Sequence, residues 1–435
     1  MYREKLEELI RWKNNPRRKP LIMRGARQVG KTWLLKEFGS HQFSQYVYIN
    51  FEEATELHSL FDQDFDTERI LRQLQIYAHK SIDIDTLIIF DEIQTVPKGL
   101  TALKYFCENA SQQPIAAAGS LLGMGLHDGV SFPVGKVNFI DLYPMTFIEF
   151  LMAIGESTLA EAIKMHEWDT MNIFANRLSD HLRSYYYIGG MPEAVSTFAE
   201  THDFMAVRQV QRDILRDYEA DFSKHASSSI IARLYQVWQS IPAQLSKENK
   251  KFIYGIIREG ARAKDFELAI QWLTNCGILL PCRRVKEPRL PLIAYQESSV
   301  FKLFLLDVGL LSAMSGLDQH TLLKGNQIFT EYKGALTEQY VMQQLQAASL
   351  DYIGYWTNER STAEIDFLIQ HQGCVVPIEV KAEINLQAKS FKSFCERYKP
   401  VQAIRTSMCP YHQEAWMVNV PLYAIGEIAD LYKSE

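Results

Sequence analysis

Cysteine is scarce in this chain, and what there is has no arrangement that suggests chemistry. The six cysteines among 435 residues, at 107, 276, 282, 374, 395 and 409, have neither CxxC spacing nor a companion histidine cluster. They are read as reduced thiols, and no zinc site is expected. Long apolar runs are also missing. The longest, LFLLDVGLLSAM (303–314), carries Asp307 and is too short to span a bilayer. The opening residues, MYREKLEELI, read as a charged helix start and not as a signal peptide. A cytoplasmic protein with no membrane partner is therefore expected. There is no basic excess, because the formal net charge is −6. Any nucleic acid must be held by local basic patches, since the mean field of the molecule does not favour it. Internal repeats and low-complexity stretches are absent.

A chain of this length exceeds what one core organises, so two to four domains are expected. Residues 1–13 read as an amphipathic helix, and the run LIM after a polar prolyl turn enters a glycine loop. YVYINF (46–51), TLIIF (86–90), PIAAAG (114–119) and VNFIDL (137–142) are short apolar or β-branched runs, separated mostly by helical patterns. That alternation predicts an α/β fold with a mainly parallel sheet covered on both faces. From about 145 to 245 the pattern is helical throughout. Residues 247–330 mix basic helices with a hairpin, ILLPCRRVKEPRLPLIAYQ. After a helix at 331–348 come the strands DYIGYWT, EIDFLIQ and CVVPIEVKA, then a helix and one final strand.

Gly25-Ala26-Arg27-Gln28-Val29-Gly30-Lys31-Thr32 fits G-x-x-x-x-G-K-[ST]. Glycines let the backbone curl so that successive N–H groups face phosphate oxygens. Lys31 then reaches the β- and γ-phosphates, and the Thr32 hydroxyl is placed to ligate Mg²⁺. The helix that starts there adds its positive end. Leu87-Ile88-Ile89-Phe90-Asp91-Glu92 supplies two carboxylates at the end of a buried strand. Asp91 suits a Mg²⁺ role and Glu92 suits the base that polarises attacking water, so the pair points to hydrolysis and not to passive binding. The loop alone admits ATP or GTP.

These segments, with the block Gly135-Lys136-Val137 through Leu142-Tyr-Pro-Met-Thr-Phe-Ile-Glu-Phe150 and with YYYIGGMPEAV (185–195), resemble the prokaryotic AAA-type ATPases of the AAA_14/DUF4143 group. Those are relatives of the archaeal-ATPase and STAND branch of P-loop proteins, and the resemblance covers most of the chain. It implies ATP as the nucleotide. It implies a P-loop core at 1–144, a helical lid at 145–245, a winged-helix module at 246–325 and a restriction-endonuclease-like domain at 326–435. It also implies that Gly190-Met191-Pro192 contacts adenine and that Ser120, closing the strand Ile115 to Ala118, senses the γ-phosphate. Where the family usually has an arginine, this chain has Lys136, which keeps the charge but loses the bidentate fork. Arg212 and Arg216 are substitutes for that role, although a solvated helix face accounts for both.

In the module at 246–325, Lys247, Lys250, Lys251, Arg258, Arg262 and Lys264 make the helices basic, and Arg283, Arg284, Lys286 and Arg289 crowd the supposed wing. Such a face suits DNA phosphates, and it equally suits solvated charge on a packing module. In the last domain Glu338, Asp366, Glu379 and Lys381 follow the E…D…ExK order of the PD-(D/E)xK nucleases. Glu338, Asp366 and Glu379 are expected to hold Mg²⁺ or Mn²⁺, with Lys381 orienting or activating water. Three readings stand: an ATP-driven nuclease-like switch on nucleic acid, an ATP-gated protein-interaction switch on an inert nuclease-like scaffold, and a DNA-binding regulator. The oligomeric state stays open.

Overall fold

The computed structural model describes residues 1–119, 133–247, 249–320, 330–358, 363–382, 389–429 and 431. Ser120, assigned a γ-phosphate contact above, lies outside them. Two compact units are present. One comprises Arg3–Tyr143 with Asn275–Gly277, and the other Met1–Tyr2, Pro144–Thr274 and Ile278–Glu435.

The first unit is built on five strands: β1 (Leu21–Arg24), β2 (Gln45–Asn50), β3 (Thr86–Asp91), β4 (Ile115–Ala118) and β5 (Asn138–Asp141). Their order is β2-β3-β4-β1-β5 and every pairing is parallel. Two-residue periodicity sorts the side chains. Ile22, Val47, Ile49, Ile88, Phe90, Ile115 and Ala117 join one core with Ile70 and Leu74 of helix Thr67–Ala78 and with Leu103 and Phe106 of helix Pro97–Asn109. The alternate positions, including Tyr48 and Asp91, belong to the other face, against which helix Lys31–Gln42 packs. Burial on both faces is why β3 and β4 read as unbroken apolar runs.

The second unit is helical from Phe147 to Leu245: among the described residues of that stretch there is no strand. Its sheet has eight strands: β6 (Leu279–Val285), β7 (Gln296–Leu305), β8 (Tyr352–Thr357), β9 (Glu364–His371), β10 (Cys374–Val380), β11 (Ile404–Ser407), β12 (His412–Gln413) and β13 (Val418–Pro421). The order is β12-β13-β11-β10-β9-β8-β6-β7, with mixed parallel and antiparallel pairs. The predicted hairpin exists as β6 and β7, but it is not a free wing. β6 pairs in parallel with β8, Arg283 opposite Gly354 and Val285 opposite Trp356. One sheet thus runs across the 325/326 boundary expected from the sequence. Among the described residues three short strands, not one, follow the helix Lys389–Tyr398.

Helix Thr330–Ala347 lies against β7 and β10 and is buried on all sides from Ala335 to Leu345. Its polar residues therefore need partners. Gln339 accepts from the Leu305 N–H and donates to the Leu305 carbonyl. Gln343 accepts from the Val308 N–H, and Gln344 from the Phe147 N–H. Glu338 takes its partners from lysines, described below. Among the described residues no helix is long and apolar enough to cross a membrane.

Candidate functional site

The glycine loop connects β1 to helix Lys31–Gln42. Gly25 (φ 148°) and Gly30 (φ 94°) hold backbone conformations that side chains disfavour, and a Cβ on Gly25 would meet the Leu142 carbonyl oxygen at 2.2 Å. Gln28 also has positive φ, at 63°. Val29 and Ala26 are buried, which pins the loop from inside while Gln28 stays exposed. Lys31 is buried and its Nζ donates to the carbonyls of Gly25 (2.9 Å) and Ala26 (2.7 Å). Burial pushes its pKa down to about 8, the charges of Glu92 and Asp91 act to raise it, and Arg27 lowers it further.

Because Asp91 falls on the face of β3 that meets helix Lys31–Gln42, it reaches Thr32, whose Oγ1 donates to Asp91 Oδ2 at 2.7 Å. The Tyr48 hydroxyl donates to the same oxygen at 3.0 Å. That burial beside Asp91 holds the phenol far above its ordinary range. Glu92 follows at φ 49°; its N–H donates to Asp91 Oδ1 at 3.1 Å, and its carboxylate accepts from the Gln94 amide. Lys31, Thr32, Asp91 and Glu92 are thus brought together. Tyr48 was missed, although the alternation Y-V-Y-I-N carried the signal. A cradle that excludes a Cβ at Gly25, a buried ammonium resting on neutral carbonyls, and a hydroxyl–carboxylate pair fit a nucleoside triphosphate with its Mg²⁺.

Two of the alternative basic residues have other partners. Lys136 pairs with Glu108 at 2.9 Å. Arg216 pairs with Asp213 at 3.0 Å and Arg212 is exposed, the solvated face anticipated for both. Pro192 opens helix Pro192–Thr201 and is half-buried. Its neighbour Gly190 is buried, its N–H donating to Asp307 Oδ2 at 2.6 Å and its carbonyl accepting from the Met145 N–H. Asp307 also accepts from Gln343 and from the Leu310 N–H. The residue that argued against a membrane span in the sequence is the hub that ties this motif down.

In the C-terminal sheet, Glu338 accepts from Lys250 Nζ at 2.6 Å and from Lys302 Nζ at 3.4 Å. Lys302, fully buried in β7, also meets Glu364 at 2.5 Å. Lys381 pairs with Glu379 at 2.7 Å, and Asp366 accepts from the Val380 N–H at 2.8 Å. Burial, then the charges of Glu338 and Glu379, drives the Asp366 carboxyl well above the ordinary range. One correction follows: Lys250, expected on an exposed basic face that suits either DNA or solvent, is buried because residues 250–252 run along β7, with Lys251 bridged to Lys302 and the Phe252 N–H donating to Phe301. Glu338, Asp366 and Glu379 lie within electrostatic reach of one another, but among the described residues no group of three His, Cys, Asp or Glu is placed to hold a metal ion. Lysines take the Glu338 and Glu379 carboxylates instead. Lys302 and Glu364 were missed. A lone lysine inside the apolar run VFKLFLL was a legible signal; Lys250, in a polar stretch, gave none. Two of the wing arginines are likewise engaged, Arg284 with Glu297 and Arg289 with Glu287.

An AAA domain model matches residues 17–151, a domain of unknown function (DUF4143) matches 333–423, and a second domain of unknown function (DUF8612) matches 179–321. The last spans the 245/246 boundary expected from the sequence. No curated protein matches. Similar solved structures include a Walker-type ATPase of Pyrococcus abyssi (14% identity, 72% of this chain and 94% of that one, TM-score 0.45) and the Aeropyrum pernix Orc1 protein in complex with DNA (14%, 73% and 93%, TM-score 0.31). The Thermotoga maritima RuvB Holliday junction branch migration motor is also similar (14%, 67% and 91%, TM-score 0.29). With the parallel sheet, the glycine loop and the Thr32–Asp91 pair in place, the chain carries an AAA domain of the P-loop ATPase type at residues 17–151 and a DUF4143 domain at 333–423.

Proposed function

We propose that this protein is a Mg²⁺-dependent, ATP-hydrolysing cytoplasmic switch whose C-terminal, nuclease-like domain engages nucleic acid. The observation that carries the ATPase part is the 2.7 Å hydrogen bond from Thr32 to Asp91, beside a lysine held by loop carbonyls. Thr32 and Asp91 would hold Mg²⁺, which when bound neutralises charge on the terminal phosphates. The loop N–H groups from Gly25 to Thr32 bind the phosphates. Lys31 exchanges the Gly25 and Ala26 carbonyls for phosphate oxygens. Glu92 accepts a proton from the attacking water and is kept in position by Gln94, while Tyr48 fixes Asp91. Exposed Lys247, Lys251, Arg258, Arg262 and Lys264 support the nucleic-acid part.

Phosphate release from ATP by the full chain, with Lys31→Ala beside it, tests the first part; equal turnover by the two would end it. Anisotropy of labelled DNA and RNA at rising salt tests the second, which fails if neither binds. A second reading, an ATP-gated switch for a protein partner on an inert nuclease-like scaffold, is favoured by one observation: Glu338 sits between Lys250 and Lys302. Retained ATPase with no salt-sensitive nucleic-acid binding and no cleavage in Mg²⁺ or Mn²⁺ would select it.

A further inference from the structure

The geometry points to Lys302 as a built-in replacement for a divalent cation: its ammonium stands among the carboxylates that a nuclease-like centre uses for metal, and closes them into a metal-independent ion cluster. This rests on reading the C-terminal domain as nuclease-like, and is independent of the nucleotide chemistry. Lys302 is fully buried, and a buried ammonium persists only with anions around it. Glu364 lies at 2.5 Å and Glu338 at 3.4 Å. Glu338, Glu364 and Asp366 are the three charges that act to hold Lys302 protonated against its burial. Glu338 and Asp366 are two of the three carboxylates that the motif would give to metal.

The neighbouring charges complete the balance. Lys250 covers the other Glu338 oxygen, and Lys381 is spent on Glu379. Four carboxylates (338, 364, 366, 379) face three ammoniums (250, 302, 381), so the cluster supplies its own cations. A divalent ion entering this cluster would meet the Lys302 and Lys250 ammoniums at contact range, and like charges repel there with little solvent to screen them. Two of the three lysines, Lys250 and Lys302, lie outside the E…D…ExK motif, so a motif scan does not see them.

The test is a Mn²⁺ titration of the nucleotide-free full chain, read by electron paramagnetic resonance and by thermal unfolding. It compares wild type, Asp366→Asn, Lys302→Arg and Lys302→Ala. Wild type and Lys302→Arg are expected to show no Mn²⁺ binding that Asp366→Asn removes. Lys302→Ala is expected to unfold at lower temperature, to regain part of that loss in Mn²⁺, and to bind the ion about tenfold or more tighter than wild type. Wild-type Mn²⁺ binding abolished by Asp366→Asn overturns the replacement and leaves the nuclease-like reading standing. A folded Lys302→Ala that gains no Mn²⁺ overturns both. If Lys302→Ala does not fold, wild type and Lys302→Arg decide the matter.

Discussion

At the glycine loop, a buried lysine rests on the carbonyls of Gly25 and Ala26; in the eight-stranded sheet, a buried lysine rests on Glu338 and Glu364. Both places combine ammonium with carboxylate near the end of a buried strand. The difference is what each lysine holds. Neutral carbonyls are weak partners for a cation, so Lys31 is exchangeable, and a triphosphate offers it more. Carboxylates buried with Lys302 are strong partners, and breaking that pairing leaves an uncompensated buried charge. The first arrangement is prepared for a ligand and the second is already complete. Residue types alone do not separate an active site from an ion cluster; the partner of the lysine does.

The comparison can be broken most sharply at the loop. Lys31→Ala is expected to lower ATP turnover by about a hundredfold or more, since it removes the charge facing the terminal phosphates. Glu92→Gln should lower turnover by about a hundredfold while ATP binding persists. Phosphate release beside nucleotide binding checks both. If the cluster is structural, Glu338→Gln should cost about 3–5 kcal/mol of unfolding free energy, because Lys250 and Lys302 lose their shared anion. Asp366→Asn should do the opposite. The Asp366 carboxyl titrates well above its unfolded value, so the folded state loses stability as pH rises from the ordinary carboxylate range through the raised one. Asparagine removes that loss, so it should raise stability at neutral pH and flatten the pH dependence. Chemical denaturation at pH 5 and pH 8 measures both substitutions.

A smaller effect sharpens the account of Lys31. Its folded-state pKa of about 8 lies below the unfolded lysine value, so above pH 8 the free protein holds it partly neutral. Phosphate binding favours the ammonium, so ATP binding above pH 8 should take up a proton and weaken by up to about tenfold per pH unit. Calorimetry in two buffers of different ionisation enthalpy reads the proton directly. The smallest expected change is at the basic helices. Lys247→Ala or Arg262→Ala should lower the salt slope of nucleic-acid binding by about one each, and Lys250→Ala should not lower it, because Lys250 is buried against Glu338.

Much of the architecture was legible because local patterns carry it. β1 to β5 and β8 to β10 fall within a residue or two of the apolar runs that predicted them. The glycine loop and Asp91-Glu92 were legible because backbone curling and a strand-end carboxylate leave fixed spacings. The joining of β6 to β8 was not, because it pairs residues some seventy positions apart and no local signal records such a partner. The same holds for the cluster. Glu338, Asp366, Glu379 and Lys381 were found by motif, but their chemistry is set by Lys302 and Lys250, and only Lys302 stood out, as a charge inside an apolar strand.

Counting bound Mn²⁺ per chain by electron paramagnetic resonance, with and without ATP, tests the contrast between the two sites most directly. The account predicts an ATP-dependent ion that Asp91→Asn removes, and none in the absence of nucleotide. An ATP-independent ion that survives Asp91→Asn and disappears in Asp366→Asn would contradict it.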